Sequence, residues 1–580
     1  MARARLLFAF LTLLLIAVSW SGRALAQTNV LTWHNDNGHT GQNLQEAILT
    51  PTNVNAAQFG KLFSYPVDGM IYAQPLYVQG VTINSVTHNV VYVATENDTV
   101  YAFDADSAAL NPTPLWQTSF AQPPNVTALP CTDNDKYCNV YPIIGITGTP
   151  VINLANQSIY FVTRTKELGT KGAYNYFTRL HALNIATGAE QANSPVVICK
   201  AGAGKGCNFA PYTLTSQQFI PQHQMQRPAL VLTPYAGTQQ GVLYIPFGQD
   251  RGWIFAYDAQ TLQLLAVFCS APNVTLSGHG LSGFWGSGGA VAANSSGILY
   301  AATADGVFDA DLGGSDYGDT VLKLSLTYNS STSQYQFQVL DYFSPTDQTC
   351  RYQNDDDLGS GAPMILPTQL GSNPDLLLMA GKGYPCDGTI SPVYLINADN
   401  LGQSSGATIQ TVDGPLGGYW SGGAYWQSAT TTYVYYSGLN SETKAPAGDN
   451  LREFTMVSGL FSPATAVAQS PMRLTIGATP SISANGQTNG ILWAIARQDL
   501  LSSKPGTKPA ILYAFDATNV AHELYASTIN ATRDKAGAGV KFVVPTIANG
   551  KVYVPTQTEL DVYGLLAGNK STSKDSAASH

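Results

Sequence analysis

The apolar positions along this chain fall in short paired runs rather than in helical stripes. An apolar run containing Tyr or Trp leads into a turn, and a second run follows that often ends in Asp or Asn. Val90–Val93 precedes Val100–Asp104, Ile159–Val162 precedes Leu180–Asn184, and Val242–Ile245 precedes Ile254–Asp258. Ile298–Ala301 precedes Val321–Leu324, Leu376–Met379 precedes Val393–Asn397, and Tyr433–Tyr436 precedes Leu451–Phe454. Ile491–Ala494 with Ile511–Asp516, and Val552–Val554 with Leu560–Tyr563, bring the copies to eight. Short runs that are apolar at successive positions, and rich in β-branched and aromatic residues, are strands buried on both faces.

Each pair reads as the middle two strands of a four-stranded unit. The strand before it carries proline at its entry, as at Pro75, Pro150, Pro228, Pro363, Pro480 and Pro545. The strand after it often ends in an aromatic, as at Trp116, Phe268 and Tyr525. A unit with two apolar faces cannot be buried alone, so the units must stack on one another around a channel, as β-propeller blades do. The Asp or Asn after the second run can bond its own backbone and fix the next turn. The last copy, residues 542–563, has three strands, and Lys61–Pro66 is a strand without a partner of its own. If that N-terminal strand completes the last unit, no edge is left exposed. The pattern therefore predicts an all-β fold, an eight-bladed β-propeller closed by an N-terminal strand. A seven-bladed ring or two separate β-domains is the alternative.

The N-terminus changes the picture of where the chain works. Arg3 and Arg5, the apolar run Leu6–Trp20 and the Ala24-Leu25-Ala26 site before Gln27 make residues 1–26 a signal peptide. A secreted or periplasmic protein follows, with an N-terminal arm at 27–58, a propeller at 59–566 and a disordered polar tail at 567–580. No later run is long enough to span a membrane. Of 580 residues only 11% are charged, the net charge is −9 and no basic patch accompanies it, which argues against nucleic acid as a partner. Seven cysteines suit an oxidising compartment. Cys131 with Cys138 and Cys199 with Cys207 could close short loops, and Cys350 with Cys386 a longer one, leaving Cys269 free; other connectivities remain open.

Two strings, Val100-Tyr101-Ala102-Phe103-Asp104-Ala105 and Leu512-Tyr513-Ala514-Phe515-Asp516-Ala517, resemble the pyrroloquinoline-quinone (PQQ) repeat of quinoprotein alcohol dehydrogenases. Trp33-His34-Asn35-Asp36-Asn37, Asp357–Gly361, Ser483–Gly486 and Val544–Gly550 are similar to strings in a large group of bacterial secreted PQQ-like propellers. The resemblance implies a ligand over the channel mouth, near residues that precede the innermost strands. Gln74, Thr149, Gln226, Arg227, Trp285 and Trp420 stand there. An arginine beside two tryptophans suits a flat acidic ligand such as PQQ; residues sealing the channel with ordered water are the plainer reading. The adjacent cysteines and the CxxCH haem motif of those dehydrogenases are missing.

Acidic residues supply the remaining chemistry. Asp305, Asp309 and Asp311, with Asp316 and Asp319, have spacing that could fold around calcium, against a solvated turn as the alternative. Asp357, in the run Asp355–Asp357, could face the channel as a base or metal ligand. The histidines His34 and His39 fall in the arm, which places them outside the ring. The expected function is a monomeric scaffold binding a small molecule or an extracellular or periplasmic protein, with a small-molecule site at the channel mouth. The alternatives are a PQQ-dependent alcohol or sugar dehydrogenase with a divergent site, and a polysaccharide-directed enzyme using two facing carboxyls.

Overall fold

The computed structural model describes residues 29–567 apart from 108, 110–111, 135–137, 275–280, 384–391, 440–447, 476, 498–503 and 505. Among the described residues the chain forms eight sheets, antiparallel apart from the parallel pairing of Gln42–Asn43 with Ile482–Ser483, each built around one of the hairpins read from the sequence. They are numbered here in chain order: sheet 1 (76–119), sheet 2 (126–130, 143–144 and 151–202), sheet 3 (231–269), sheet 4 (291–343), sheet 5 (364–413), sheet 6 (424–474), sheet 7 (481–526) and sheet 8 (546–565). In sheet 8 the outermost strand is Phe59–Pro66, paired antiparallel with Glu559–Leu565.

The repeated residues explain why the sheets stack. The large apolar clusters are shared by consecutive sheets: Tyr160 and Val162 pack with Leu243 and Phe255 between sheets 2 and 3, and Tyr435 packs with Leu492 and Phe515 between 6 and 7. One cluster joins Tyr553 and Val562 of sheet 8 to Val91 and Phe103 of sheet 1. In sheets 1, 2, 4 and 6 a tyrosine of the second strand reaches into the next sheet, where its hydroxyl donates to the carbonyl just after the third strand. Tyr92 does so to Ile185 at 2.9 Å, Tyr160 to Ala259 at 2.5 Å, Tyr300 to Ala398 at 3.0 Å, and Tyr435 to Ala517. The Asp or Asn of the third strand folds the turn, with Asp104, Asn184, Asp258, Asn397 and Asp516 each accepting the amide two residues on.

The N-terminal arm departs from expectation. Instead of lying outside the sheets, it runs past the innermost strand of every one in chain order. Val30 exchanges two backbone bonds with Tyr77 of sheet 1, and the Leu31 carbonyl accepts from Ile152 of sheet 2. Asn37 donates through its side chain to Leu232 of sheet 3 and accepts from Ala293 of sheet 4. Gly38, Thr40 and Gly41 accept from Ile365, Tyr425 and Ile482 of sheets 5, 6 and 7. Asn43 donates through its side chain to Ile547 of sheet 8. His34 and His39 are buried here, which corrects their expected placement. The two ring nitrogens of His34 face the carbonyls of His39 and Pro480, at 2.9 and 2.7 Å.

Cys131–Cys138 and Cys199–Cys207 are disulfides, and Cys269 is a buried free thiol. Cys350 is disulfide-bonded, and Cys386, its expected partner, lies outside the described residues. Among the described residues no helix is long and apolar enough to cross a membrane.

Candidate functional site

In a four-stranded up-and-down sheet, the entry to the first strand and the turn between the second and third lie at the same end, because the chain reverses at every strand. These segments carry the polar residues that converge. Tyr72 enters sheet 1 and Glu96 sits in its turn; Arg227 enters sheet 3; Trp285 and Ser287 enter sheet 4 and Asp305 lies in its turn. Asp357 and Ser360 enter sheet 5, Lys382 follows its second strand, and Trp420 enters sheet 6.

Hydrogen bonds tie these loops into one chain. Arg227 Nη2 donates to the Ser287 carbonyl at 2.8 Å and to that of Phe542 at 3.4 Å. The Ser287 hydroxyl bonds the carbonyls of Ser360, at 3.1 Å, and of Trp420. Ser360 Oγ donates to Asp357 Oδ2 at 3.2 Å, and that oxygen is 2.5 Å from Lys382 Nζ. Lys382 also stands 5.1 Å from the Trp420 ring centre, a cation–π contact. Trp285 and Trp420 are half-buried, while Arg227 is buried, so the tryptophans lie nearer solvent than the cation.

The charges are unevenly matched. Asp305, Asp355 and Asp357 present carboxylate oxygens within 4.8 Å of one another. Burial works against ionising Asp357, but the Lys382 ammonium and the Asp305 hydrogen bonds overcome it and hold its carboxyl below the usual range. Asp305 goes the other way: burial, and then the neighbouring Asp357 charge, push it well up. Burial and the Asp357 charge thus favour the protonated form of Asp305, while Lys382 favours the ionised form of Asp357. Arg227 has no such partner. Among the described residues it forms no ion pair, its Nε has no hydrogen-bond partner, and the Tyr72 ring centre lies 5.8 Å from its guanidinium carbon. Burial lowers its pKa to about 10, although Tyr72 and Glu96 support the charge. Glu96 accepts from the Gly145 amide and the Thr147 hydroxyl through Oε2, and its other oxygen is buried without a partner. Burial pushes its pKa up to about 7.

The other residues expected at the mouth have different places. Gln74 Oε1 accepts the His34 amide at 2.6 Å and so holds the arm, its backbone N–H donates to Thr149 Oγ1 at 2.9 Å, and its Nε2 is buried without a partner. Gln226 turns its amide onto the Pro228 carbonyl and leaves Oε1 unpartnered. Asp309 caps its own loop by accepting the Asp316 amide at 2.8 Å, and Asp311 is exposed. The acidic group joins Asp305 to Asp355 and Asp357 instead, because a neighbouring sheet brings them closer than the residues four and six positions along. Tyr72, Glu96 and Lys382 were not singled out from the sequence. Lys382 left one signal, a lone cation between Gly381 and Gly383 directly after a buried strand.

No family model matches the chain, and no curated protein matches it. Solved structures do. Quinohemoprotein alcohol dehydrogenase from Comamonas testosteroni superposes with a TM-score of 0.53 at 13% identity, over 94% of this chain and 82% of its own. The likeness shows the fold. A second quinohemoprotein alcohol dehydrogenase, from Pseudomonas putida HK5, gives 0.52 at 12% identity, over 93% and 80% of the two chains. A europium-containing methanol dehydrogenase gives 0.53 at 12% identity, over 93% and 98%. The chain is all-β and propeller-like, as those proteins are.

Proposed function

We propose that this protein is an exported, eight-bladed propeller, closed by Phe59–Pro66 on sheet 8, that binds a small, flat, acidic molecule at the loop end of its channel. Closure draws support from the core shared by sheets 8 and 1 and from the arm's passage along eight innermost strands in order. Export draws support from the two disulfides, which need an oxidising compartment.

The observation that carries the binding reading is Arg227. A buried guanidinium without a carboxylate partner, with a free Nε, is costly unless a counter-anion completes it. A ligand carboxylate supplies two acceptors in the plane of the fork. Trp285 and Trp420 offer apolar rings toward solvent from it.

A second reading, a PQQ-dependent oxidoreductase with a divergent site, is favoured by the Asp305–Asp357–Lys382 cluster. PQQ fits the charge of the site: Arg227 would hold a carboxylate, and the tryptophans would flank the rings. Bound there, it would supply two-electron redox chemistry. Asp357, kept ionised by Lys382, is then the group able to accept a proton from a substrate hydroxyl. Calcium does not fit, because the Lys382 ammonium already sits 2.5 Å from Asp357 and 3.2 Å from Asp355, where a cation would stand.

Calorimetric titration of the purified protein with PQQ and with benzene-1,3,5-tricarboxylate, without added calcium, tests the binding reading. Saturable binding of at least one is expected, and binding of neither overturns it. Dye reduction by the PQQ-loaded protein with a panel of alcohols and sugars decides between scaffold and oxidoreductase.

A further inference from the structure

The arm reaches the same place as Arg227 from among the innermost strands. Trp33 is buried among Ala229, Ala362 and Val544, at the entries to sheets 3, 5 and 8. Glycines make the room for its indole. A Cβ on Gly289 would collide with the ring, and one on Gly422 would lie 3.1 Å from it. A Cβ on Gly288 would lie 2.9 Å from Trp33 Nε1 and 3.1 Å from Arg227 Nη1, so indole and guanidinium border one point. His34 and His39 brace the indole from the arm side, with ring centroids 4.8 and 4.5 Å away. Asp36 anchors the turn by accepting the Thr40 amide and hydroxyl. The bonds of Val30 to Asn43 fix this segment to eight separate strands, so Trp33 cannot shift without loosening several of them.

We infer that the arm is part of the ligand site as well as of the ring: it plugs the channel directly beneath the loops, and Trp33 is the floor under a ligand drawn in by Arg227. This rests on the binding reading above. It makes the site single-ended, and it assigns Trp33 the role of setting how deep a flat acid can enter. A through-channel would leave Arg227 open to water from both ends, and a screened guanidinium holds an anion weakly. With the arm in place, water can approach the cation from the loop side only. Ligands that are flat and carry a carboxylate at one edge are selected over bulky acids, because the indole blocks anything that must pass it.

The test uses the full exported chain and Trp33→Leu, which keeps apolar contact with Ala229, Ala362 and Val544 but removes most of the ring. Each is titrated with PQQ and benzene-1,3,5-tricarboxylate, and hydrogen exchange is followed at the Ile152, Ala293, Ile365, Tyr425 and Ile482 amides, which donate to the arm. The expected result is at least tenfold weaker binding by Trp33→Leu while those amides stay as protected as in the parent. Equal affinity with the arm still protected overturns Trp33 as the floor and leaves the binding reading intact. If Trp33→Leu does not fold, Trp33→Phe takes its place and a smaller loss is expected, with equal affinity again overturning the role. If the parent binds neither probe, the binding reading fails and the floor fails with it. Exchange then judges the stopper alone: protection equal to that of the sheet cores upholds it, and rapid exchange at these five amides overturns it.

Discussion

Replacing Glu96 by Gln should make the protein more stable at neutral and alkaline pH and change little in acid. Glu96 is buried, and desolvation lifts its pKa from the ordinary 4.5 to about 7. An acid whose folded pKa is raised binds its proton more tightly in the folded state. That contribution is fully present below about pH 4.5, is lost as pH rises through the folded value, and is gone above about 7. The difference of about 2.5 units corresponds to roughly 3 kcal/mol at ~1.36 kcal/mol per unit. Gln preserves the neutral form. Its carbonyl can still accept from the Gly145 amide and the Thr147 hydroxyl, and its amide occupies the position of the oxygen that now has no partner. The assay is a set of denaturant midpoints for parent and variant from pH 4.5 to 8.5. The variant's advantage should grow from near zero to about 3 kcal/mol across that range. A constant difference, or one that grows toward acid pH, would refute the claim that burial keeps Glu96 protonated.

Lys382→Met strips Asp357 of its cation, and loss of one partner of a buried pair should cost about 3 kcal/mol at neutral pH. Because Asp357's carboxyl is held low in the parent, that penalty should shrink in acid as the unpaired carboxyl takes up a proton, which a pH series of melting curves would show. Gly41→Ala puts a side chain at φ +70° and into the His34 imidazole, and should lower stability by at least about 2 kcal/mol in a denaturation curve. Cys131→Ser opens a short loop, with seven residues of sequence separation, and should cost about 2.5 kcal/mol by the loop-entropy relation; peptide mapping without reductant should show the parent's Cys131–Cys138 pair linked.

The hairpins were legible because a strand buried between neighbouring sheets must be apolar at every position, and such runs are visible one sequence at a time. The tyrosines of the second strands were visible too, although the role of Tyr92, Tyr160, Tyr300 and Tyr435, a hydroxyl reaching the next sheet's carbonyl, requires the three-dimensional neighbour. Arg227, Trp285 and Trp420 could be found because entry to an innermost strand fixes where a side chain stands. The arm could not. Leu31, Gly38 and Gly41 bind the sheets through backbone carbonyls, and a backbone carbonyl leaves no residue-type signal. Asp305 was grouped by linear spacing with Asp309 and Asp311, whereas the fold pairs it with Asp357 from another sheet, a proximity that no spacing encodes. Glu96 was missed because a single acid in a polar turn reads as solvated; only burial and the Gly145 amide reveal otherwise.

The most direct test of the binding reading is the affinity of PQQ for Arg227→Ala against the parent, titrated side by side after melting curves show that both are folded. The buried guanidinium is a cation that no carboxylate among the described residues completes, as are those of Arg251 and Arg497, and it is the one that stands at the loop end beside the tryptophans. Removing it should weaken binding by roughly 2–4 kcal/mol, a loss of about thirtyfold or more. If Arg227→Ala binds PQQ as tightly as the parent does, the ligand is held elsewhere, and the loop end of the channel is not the site.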